Sequence, residues 1–295
     1  MTIIAGKTVL LTGASRGIGS MIAQAIAAEG ATIVGVSRSP TGLENVGAIV
    51  QKAGGKWIGI PFDISQIESL PTLIQKVEQA AGSVDILINN AGIEIYRAFQ
   101  DYSTAELQAI LSTNLLAAIE LSRLLLPGML DRNSGHIVNM ASLAAKKGHP
   151  YDSVYSASKA GLLMWGDALR QELIGTGVTL STICPGYVSG QGMLADTGIS
   201  APRLSGTSTP HDVAIAVLKA IQKNQAEVIV NQDSFTVGFT KLLLGLWQLF
   251  PQLGDRMYRS IGVPQLNQQR IQNQQQAASS SDLQLNDSPV IFVER

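Results

Sequence analysis

Tyr155 and Lys159 stand four residues apart, a spacing that places both side chains on one face of a helix, one turn from each other. An ammonium that close to a phenol favours the phenolate, so a tyrosine that would titrate near ~10 gives up its proton more readily near neutral pH. Such a tyrosine can act as a general acid or base. The same spacing also suits a half-buried tyrosine beside a snorkelling lysine, so the pair gains chemical meaning only from what else the chain brings to it.

A second stretch able to do chemistry runs Thr12-Gly-Ala-Ser-Arg-Gly-Ile-Gly19. It follows a short apolar run, residues 7–12, and precedes a helically periodic segment, residues 20–29. Strand, glycine-rich turn and helix start are together what a dinucleotide pyrophosphate needs: close backbone approach, and unpaired N–H groups at the helix N-terminus. The glycines Gly13, Gly17 and Gly19 follow G-x-x-x-G-x-G, a variant of the better-known G-x-G-x-x-G, with Ser15, Arg16 and Ile18 between them. After the second strand, residues 31–37, an NAD site would place a carboxylate for the ribose 2′-hydroxyl. Here Ser37 and Arg38 stand instead, with Arg16 in the glycine loop. Two guanidinium groups and no carboxylate suit a 2′-phosphate, and predict NADP(H) over NAD(H).

The remaining elements must carry these groups to one place. Residues 41–53 read as a helix and 56–61 as a third strand, ending at Asp63 and Ile64. Asp63 could accept from an adenine amino group or simply close a turn. A helix over 67–81 and a strand over 84–89 lead to Asn89-Asn90-Ala91-Gly92, small and amide residues that suit a backbone near a ribose or a tie between strands. Residues 103–126 form a long helical pattern opened by the capping box Ser103-Thr-Ala-Glu106. Asn114 lies in its apolar run and must find partners, either the backbone or a water in a proton path. Strands over 135–140 and 178–183 flank the helix 153–173 that bears Tyr155 and Lys159; a helix over 210–222 and a strand over 227–231 follow. Strands alternating with helices predict an α/β fold, a Rossmann-like doubly wound parallel sheet with helices on both faces and its ligands at the strands' carboxyl ends.

The 295 residues carry 21 basic and 22 acidic side chains, so no global charge steers the chain toward nucleic acid. The single cysteine, Cys184, excludes a disulfide framework within the chain and a cysteine-cluster metal site, and His136, His149 and His211 lack metal-ligand spacing, so no metal is expected. No secretory pattern is visible at residues 1–7, and a cytoplasmic protein is expected.

Taken in order, Thr12-Gly-x-x-x-Gly-x-Gly19, Asp63, Asn89-Asn-Ala-Gly92, Asn114, Ser142, Tyr155-x-x-x-Lys159 and Pro185-Gly186 are collectively diagnostic. Over residues 5–232 the chain resembles the short-chain dehydrogenase/reductase family, in its ordinary single-domain branch. The resemblance implies hydride transfer between nicotinamide and a carbonyl or secondary alcohol, and commonly a homo-oligomer. Tyr155 would be the acid or base, Lys159 would lower its pKa and bond the ribose hydroxyls, Ser142 would orient the carbonyl, and Asn114 would hold a water. Backbone at Pro185, Gly186 and Val188 would seat the nicotinamide. Ala141-Ser142 replaces a commoner Ser-Ser pair, and Ser189-Gly190 a usual threonine, which weakens the phosphate contact expected there. The alternative to a reductase is a dinucleotide-binding sensor or scaffold without catalysis, which would not need to keep Ser142, Tyr155 and Lys159.

The organisation read from sequence is a catalytic domain over 1–233, a hydrophobic helical extension over 234–263 and a Gln/Ser-rich disordered tail over 264–295. Residues 188–208, rich in Gly, Ser, Thr and Ala, suit a mobile loop over a substrate. The segment 235–250 holds Lys241 as its one charge and is too short to span a bilayer. It reads first as an oligomer or core-packing helix, then as a pocket wall, and with least support as a peripheral membrane contact. Some lipid-directed members of the family carry a hydrophobic C-terminal extension, so a hydrophobic or lipid-like carbonyl substrate is an added expectation.

Overall fold

The apolar residues of the strands divide between two faces. Val9, Leu11, Ile33, Ile86 and Ile88 face one helix layer, and Leu10, Val34, Leu87 and Ile137 face the other. That division is the two-residue period of an extended chain buried on both sides. The computed structural model describes residues 2–202 and 205–286, with side chains as far as Gln276. Seven strands, β1 (Thr8–Thr12), β2 (Thr32–Ser37), β3 (Lys56–Pro61), β4 (Ile86–Asn89), β5 (Gly135–Met140), β6 (Val178–Pro185) and β7 (Glu227–Val230), form one sheet in the order β3-β2-β1-β4-β5-β6-β7. Every pairing is parallel. The chain winds outward from β1 in one direction and from β4 in the other, so the crevice between their carboxyl ends is where such sheets bind ligands.

Helices α1 (Gly17–Ala28), α2 (Pro40–Lys52) and α8 (Pro210–Lys223) cover the first face. The second is covered by α3 (Leu70–Ala81), α4 (Thr104–Leu111), α5 (Ala117–Asp131) and α6 (Ser153–Glu172). The expected capping box holds: Ser103 Oγ accepts from Glu106 N, and the Glu106 carboxylate accepts from Ser103 N. Between α4 and α5 one turn, Ser112–Leu116, widens to π geometry with Asn114 buried at its centre. Such turns commonly mark functional positions.

His136 in β5 has both ring nitrogens engaged, Nε2 with Ser181 Oγ at 2.9 Å and Nδ1 with Thr179 Oγ1 at 2.8 Å. Burial lowers its pKa from 6.5 to about 4. Unfolding restores the ordinary value, so between pH 6.5 and about 4 the unfolded chain takes up a proton that the folded chain refuses. Stability therefore falls as the pH falls through that window, by about 3 kcal/mol in full. Urea melts at about pH 7 and about pH 4 should show this loss from a group charging at His136, and His136→Asn should reduce it.

Beyond β7 come α9 (Ser234–Leu249), α10 (Pro251–Ser260) and α11 (Val263–Asn286). The last of these departs from the sequence expectation. A composition of Gln, Asn and Ser suggests a disordered tail from residue 264, yet α11 begins at Val263 and buries Asn267 and Arg270 completely. Its polar side chains are spent on the backbone of the core rather than on solvent. Asn267 Nδ2 donates to Pro150 O at 2.7 Å, Arg270 Nη2 to Ser200 O at 3.0 Å and Asn273 Nδ2 to Thr197 O at 2.8 Å. Gln274 Oε1 accepts from Tyr96 N at 3.0 Å. Residues 287–295, including the apolar run 290–293, lie outside the described residues.

Candidate active site

The glycine turn forms because two of its residues need a left-handed backbone, Gly13 with φ +66° and Gly17 with φ +55°. Close approach is as demanding as conformation. A Cβ on Gly13 would lie 2.8 Å from Ala91 Cα, and one on Gly19 would lie 2.0 Å from Gly13 O. The turn and the N-terminus of α1 line one end of a cavity of about 670 Å³. Its walls take in every residue expected around the cofactor, from Gly13 through Arg38, Asp63 and Gly92 to Val188, together with Ser142, Tyr155 and Lys159. Asn114 lies behind the wall. Its Oδ1 accepts from Ile93 N at 2.8 Å, and its Nδ2 donates to Ile93 O at 2.9 Å and to Ser158 Oγ at 3.1 Å. The side chain bonds the Ile93 backbone and the Ser158 hydroxyl, and so fixes the loop between β4 and Glu94.

The other polar residues divide in the same way. Asp63 Oδ1 accepts from Ser65 N at 3.0 Å and from Ser65 Oγ at 2.8 Å, closing a turn at the cavity wall. Asn89 Nδ2 donates to Asn139 Oδ1 at 3.0 Å and ties β4 to β5. Asn90 Nδ2 donates to Thr12 O at 3.0 Å and Gly13 O at 3.2 Å, and so braces the glycine turn itself. Arg16 is paired with Asp196 by two bonds of 2.9 and 2.6 Å, which bring the glycine turn to α7 (Met193–Asp196) in the loop after β6. Arg38 is exposed and has no partner among the described residues.

Tyr155, Lys159 and Ser142 meet at the carboxyl ends of β5 and β6. Lys159 is buried; its Nζ donates to Met140 O at 2.8 Å and lies 5.7 Å from the centre of the Tyr155 ring. Ser142 Oγ accepts from Ala144 N at 3.1 Å, which fixes the hydroxyl at the end of β5. The net shift of the Tyr155 phenol is upward. Burial, and after it the carboxyls of Glu94 and Asp152, push the phenol well above its ordinary value, and only its hydrogen bond with Ser142 acts the other way. The ammonium is committed to Met140 O, and burial lowers its own pKa to about 8. The phenol is accordingly held in its protonated, acid form.

Sequence reasoning missed the two acids that add to the effect of burial. Glu94 follows Asn89-Asn-Ala-Gly92-Ile93 onto the cavity wall, and Asp152, fully buried, immediately precedes α6. Burial raises both carboxyls. Two neighbouring carboxylates in a desolvated site cannot both ionise, and the negative charge of Glu94 adds to burial in raising Asp152. The signal available in sequence was the acid placed next to the Asn-Ala-Gly strand end. Arg270 carried no comparable signal, being one cation in a Gln-rich stretch. It sits between the rings of Tyr96 and Tyr187, 5.4 and 5.5 Å from their centres, and both tyrosines line the cavity.

The loop after β6 is closed at its base by paired backbone bonds, Ser189 N to Ser208 O at 2.9 Å and Ser208 N to Tyr187 O at 3.0 Å. Its composition suits mobility; α11 ties it down at Thr197 and Ser200.

Comparison with known proteins agrees with this geometry. The family model for short chain dehydrogenases matches residues 7–198. The ketoacyl reductase HetN of Nostoc sp. is 58% identical over 273 residues, covering 92% of this chain and 95% of that protein. The 3-oxoacyl-[acyl-carrier-protein] reductase FabG of Haemophilus influenzae is 33% identical over 184 residues, 62% of this chain and 75% of that one. Among solved structures, a metagenomic short-chain oxidoreductase in complex with NADP aligns with a TM-score of 0.67 at 30% identity, over 78% of this chain and 98% of its own. The chain belongs to the short-chain dehydrogenase family. It is an NAD(P)-dependent oxidoreductase.

The residues present fit such a cofactor. The glycine turn leaves no room for a side chain, as close approach of a pyrophosphate requires, and α1 presents its N-terminus there.

Proposed function

We propose that this chain is an NADP(H)-dependent reductase of ketoacyl substrates, with Tyr155 as the proton donor. The observation that carries the reading is that Tyr155, Lys159 and Ser142 line the same cavity as the glycine cradle. The relatives named as ketoacyl reductases support the substrate class. When bound, the reduced nicotinamide supplies the hydride. The chain supplies the rest. The Ser142 hydroxyl orients the substrate oxygen and stabilises its growing negative charge. Tyr155 gives its phenolic proton to that oxygen, and the buried Lys159 ammonium, anchored on Met140 O, offsets the phenolate that remains. Steady-state reduction of acetoacetyl thioesters with NADPH tests the reading, and absence of turnover would overturn it.

The NADP(H) preference rests on Arg38. Arg16 is engaged by Asp196, whereas Arg38 is on the cavity wall without a partner among the described residues. Arg38→Glu should weaken NADPH binding on the order of tenfold to hundredfold and leave NADH binding within about twofold, the scale of a charge-assisted phosphate contact. Equal loss for both cofactors in a fluorescence titration would remove the assignment.

Exposed Leu111, Leu116 and Met164 on the outer side of the second helix layer support a homo-oligomer, which sedimentation velocity would test.

A further inference from the structure

The cavity continues well past the catalytic groups. From Tyr187, next to Pro185 and Gly186, an aromatic wall leads away from the cofactor end. The Tyr187 and His149 rings stack at 6.1 Å, His149 meets the edge of Tyr258 at 5.6 Å, and Tyr258 meets Trp247 at 5.7 Å. The wall ends against α9, which places Phe239, Leu243, Leu244 and Trp247 on the cavity. Their spacing of three and four residues is one stripe of a helix. Leu143, the residue after the catalytic serine, and Leu244 pack on the same apolar cluster, so the catalytic end and the α9 end form one continuous surface.

Two features separate this space from ordinary core. No residue of α9 is fully buried, although its inner stripe is strongly apolar, because that stripe faces a cavity instead of a packed layer. Trp247 Nε1 is buried without a hydrogen-bond partner among the described residues, and Trp247 lines this cavity. Unpartnered polar atoms are rare in packed interiors and are satisfied where a ligand enters. At the α9 end the polar lining is the hydroxyls of Thr236 and Thr240 and the Asn231 amide, which is already engaged with Thr240 and the Ser205 backbone, and no charged side chain lies there. A sugar or nucleotide there would leave most of its polar groups unpaired.

We infer that α9 and α10 build a chamber for a straight apolar acyl chain, running from the reacting carbonyl at Tyr155 along Tyr187, His149 and Tyr258 to Trp247. The inference rests on the ketoacyl reading and adds to it the part of the substrate that the C-terminal helices hold. Chain length then becomes a determinant of specificity. Each methylene taken from water into the chamber raises kcat/KM by about fourfold until the space is filled.

The test uses the full chain in two measurements. In the first, NADPH oxidation is followed with straight-chain ketoacyl thioesters lengthened two carbons at a time from acetoacetyl. The expected result is a rise of roughly tenfold or more per step, followed by a plateau. A flat profile would overturn the chamber while leaving ketoacyl reduction in place. In the second, saturated acyl thioesters, which lack the reducible ketone, are titrated against intrinsic tryptophan fluorescence. Affinity that increases with chain length, with a signal lost in Trp247→Phe but retained in Trp57→Phe, supports the chamber even if no ketone is turned over; affinity independent of length overturns it. Leu243→Trp, which fills the space from the α9 side, should reduce the preference for the longest substrate over the shortest by about tenfold.

Discussion

Tyr155→Phe is expected to lower ketone reduction about a thousandfold while the protein still folds and still binds reduced cofactor. The phenyl ring keeps the packing that buries Tyr155 on α6 and removes only the hydroxyl, whose partner is Ser142. A fall of this size is within the range that a positioned acid contributes, and it should appear in kcat rather than in KM, because the proton moves only in the transition state. The pH profile carries a second sign. Tyr155 stays protonated across the working range, so it does not set the alkaline limit; Lys159, lowered to about 8, does. The rate of reduction should decline above about pH 8 as that ammonium loses its charge. Glu94→Gln removes a negative charge that holds the lysine proton on, so the decline should then begin at lower pH. Retained turnover in Tyr155→Phe, followed by NADPH absorbance, would assign the acid elsewhere.

The second large effect is expected at Arg270, far along the chain from the catalytic residues. Arg270→Met keeps most of the side-chain volume but deletes a fully buried guanidinium. Ser200 O loses its donor, Asn267 Oδ1 loses the Arg270 Nη1 bond, and Glu94 loses a nearby positive charge. Removing one member of a buried charged network costs about 3 kcal/mol or more, which would appear as a lower urea midpoint with unchanged slope. The kinetic consequence should fall mainly on KM, because the Ser200 bond holds the loop after β6 and the two tyrosine rings line the substrate space. Arg270→Lys retains the charge but not the flat fork that fits between two rings, so it should recover only part of the loss. Unchanged KM and unchanged stability together would show that α11 merely rests on the surface.

What could be read in advance follows from the range of the interactions involved. The strands and most helices were legible because their apolar periods are local, and so was the glycine turn, whose residues are the only ones able to adopt its backbone. The meeting of Tyr155, Lys159 and Ser142 at one sheet edge followed from the topology that those elements imply. What stayed hidden depends on partners distant in sequence. The backbone partner of Asn114 is Ile93, 21 residues away in the chain, and only the fold brings the two together. The Tyr155 pKa is raised first by burial and then by Glu94 and Asp152, which lie 58 residues apart in the chain. The Gln-rich helix α11 was misjudged because composition measures how much apolar area a segment can bury. It does not measure how many stray backbone carbonyls its amides can satisfy.

Cys184, the chain's single thiol, gives the molecule a built-in clock. It is fully buried at the end of β6, and burial pushes its pKa up to about 12. The native thiol is therefore shielded from alkylation and scarcely ionised, so a reagent reads only those moments when β6 is exposed. Its neighbours are Pro185 and Gly186 at the cavity, and β6 lies between β5 and β7. The labelling rate of one unmodified atom thus reports how often the sheet opens beside the substrate space. Slower labelling with cofactor or acyl ligand present would measure, in the same units, how firmly each holds that edge shut.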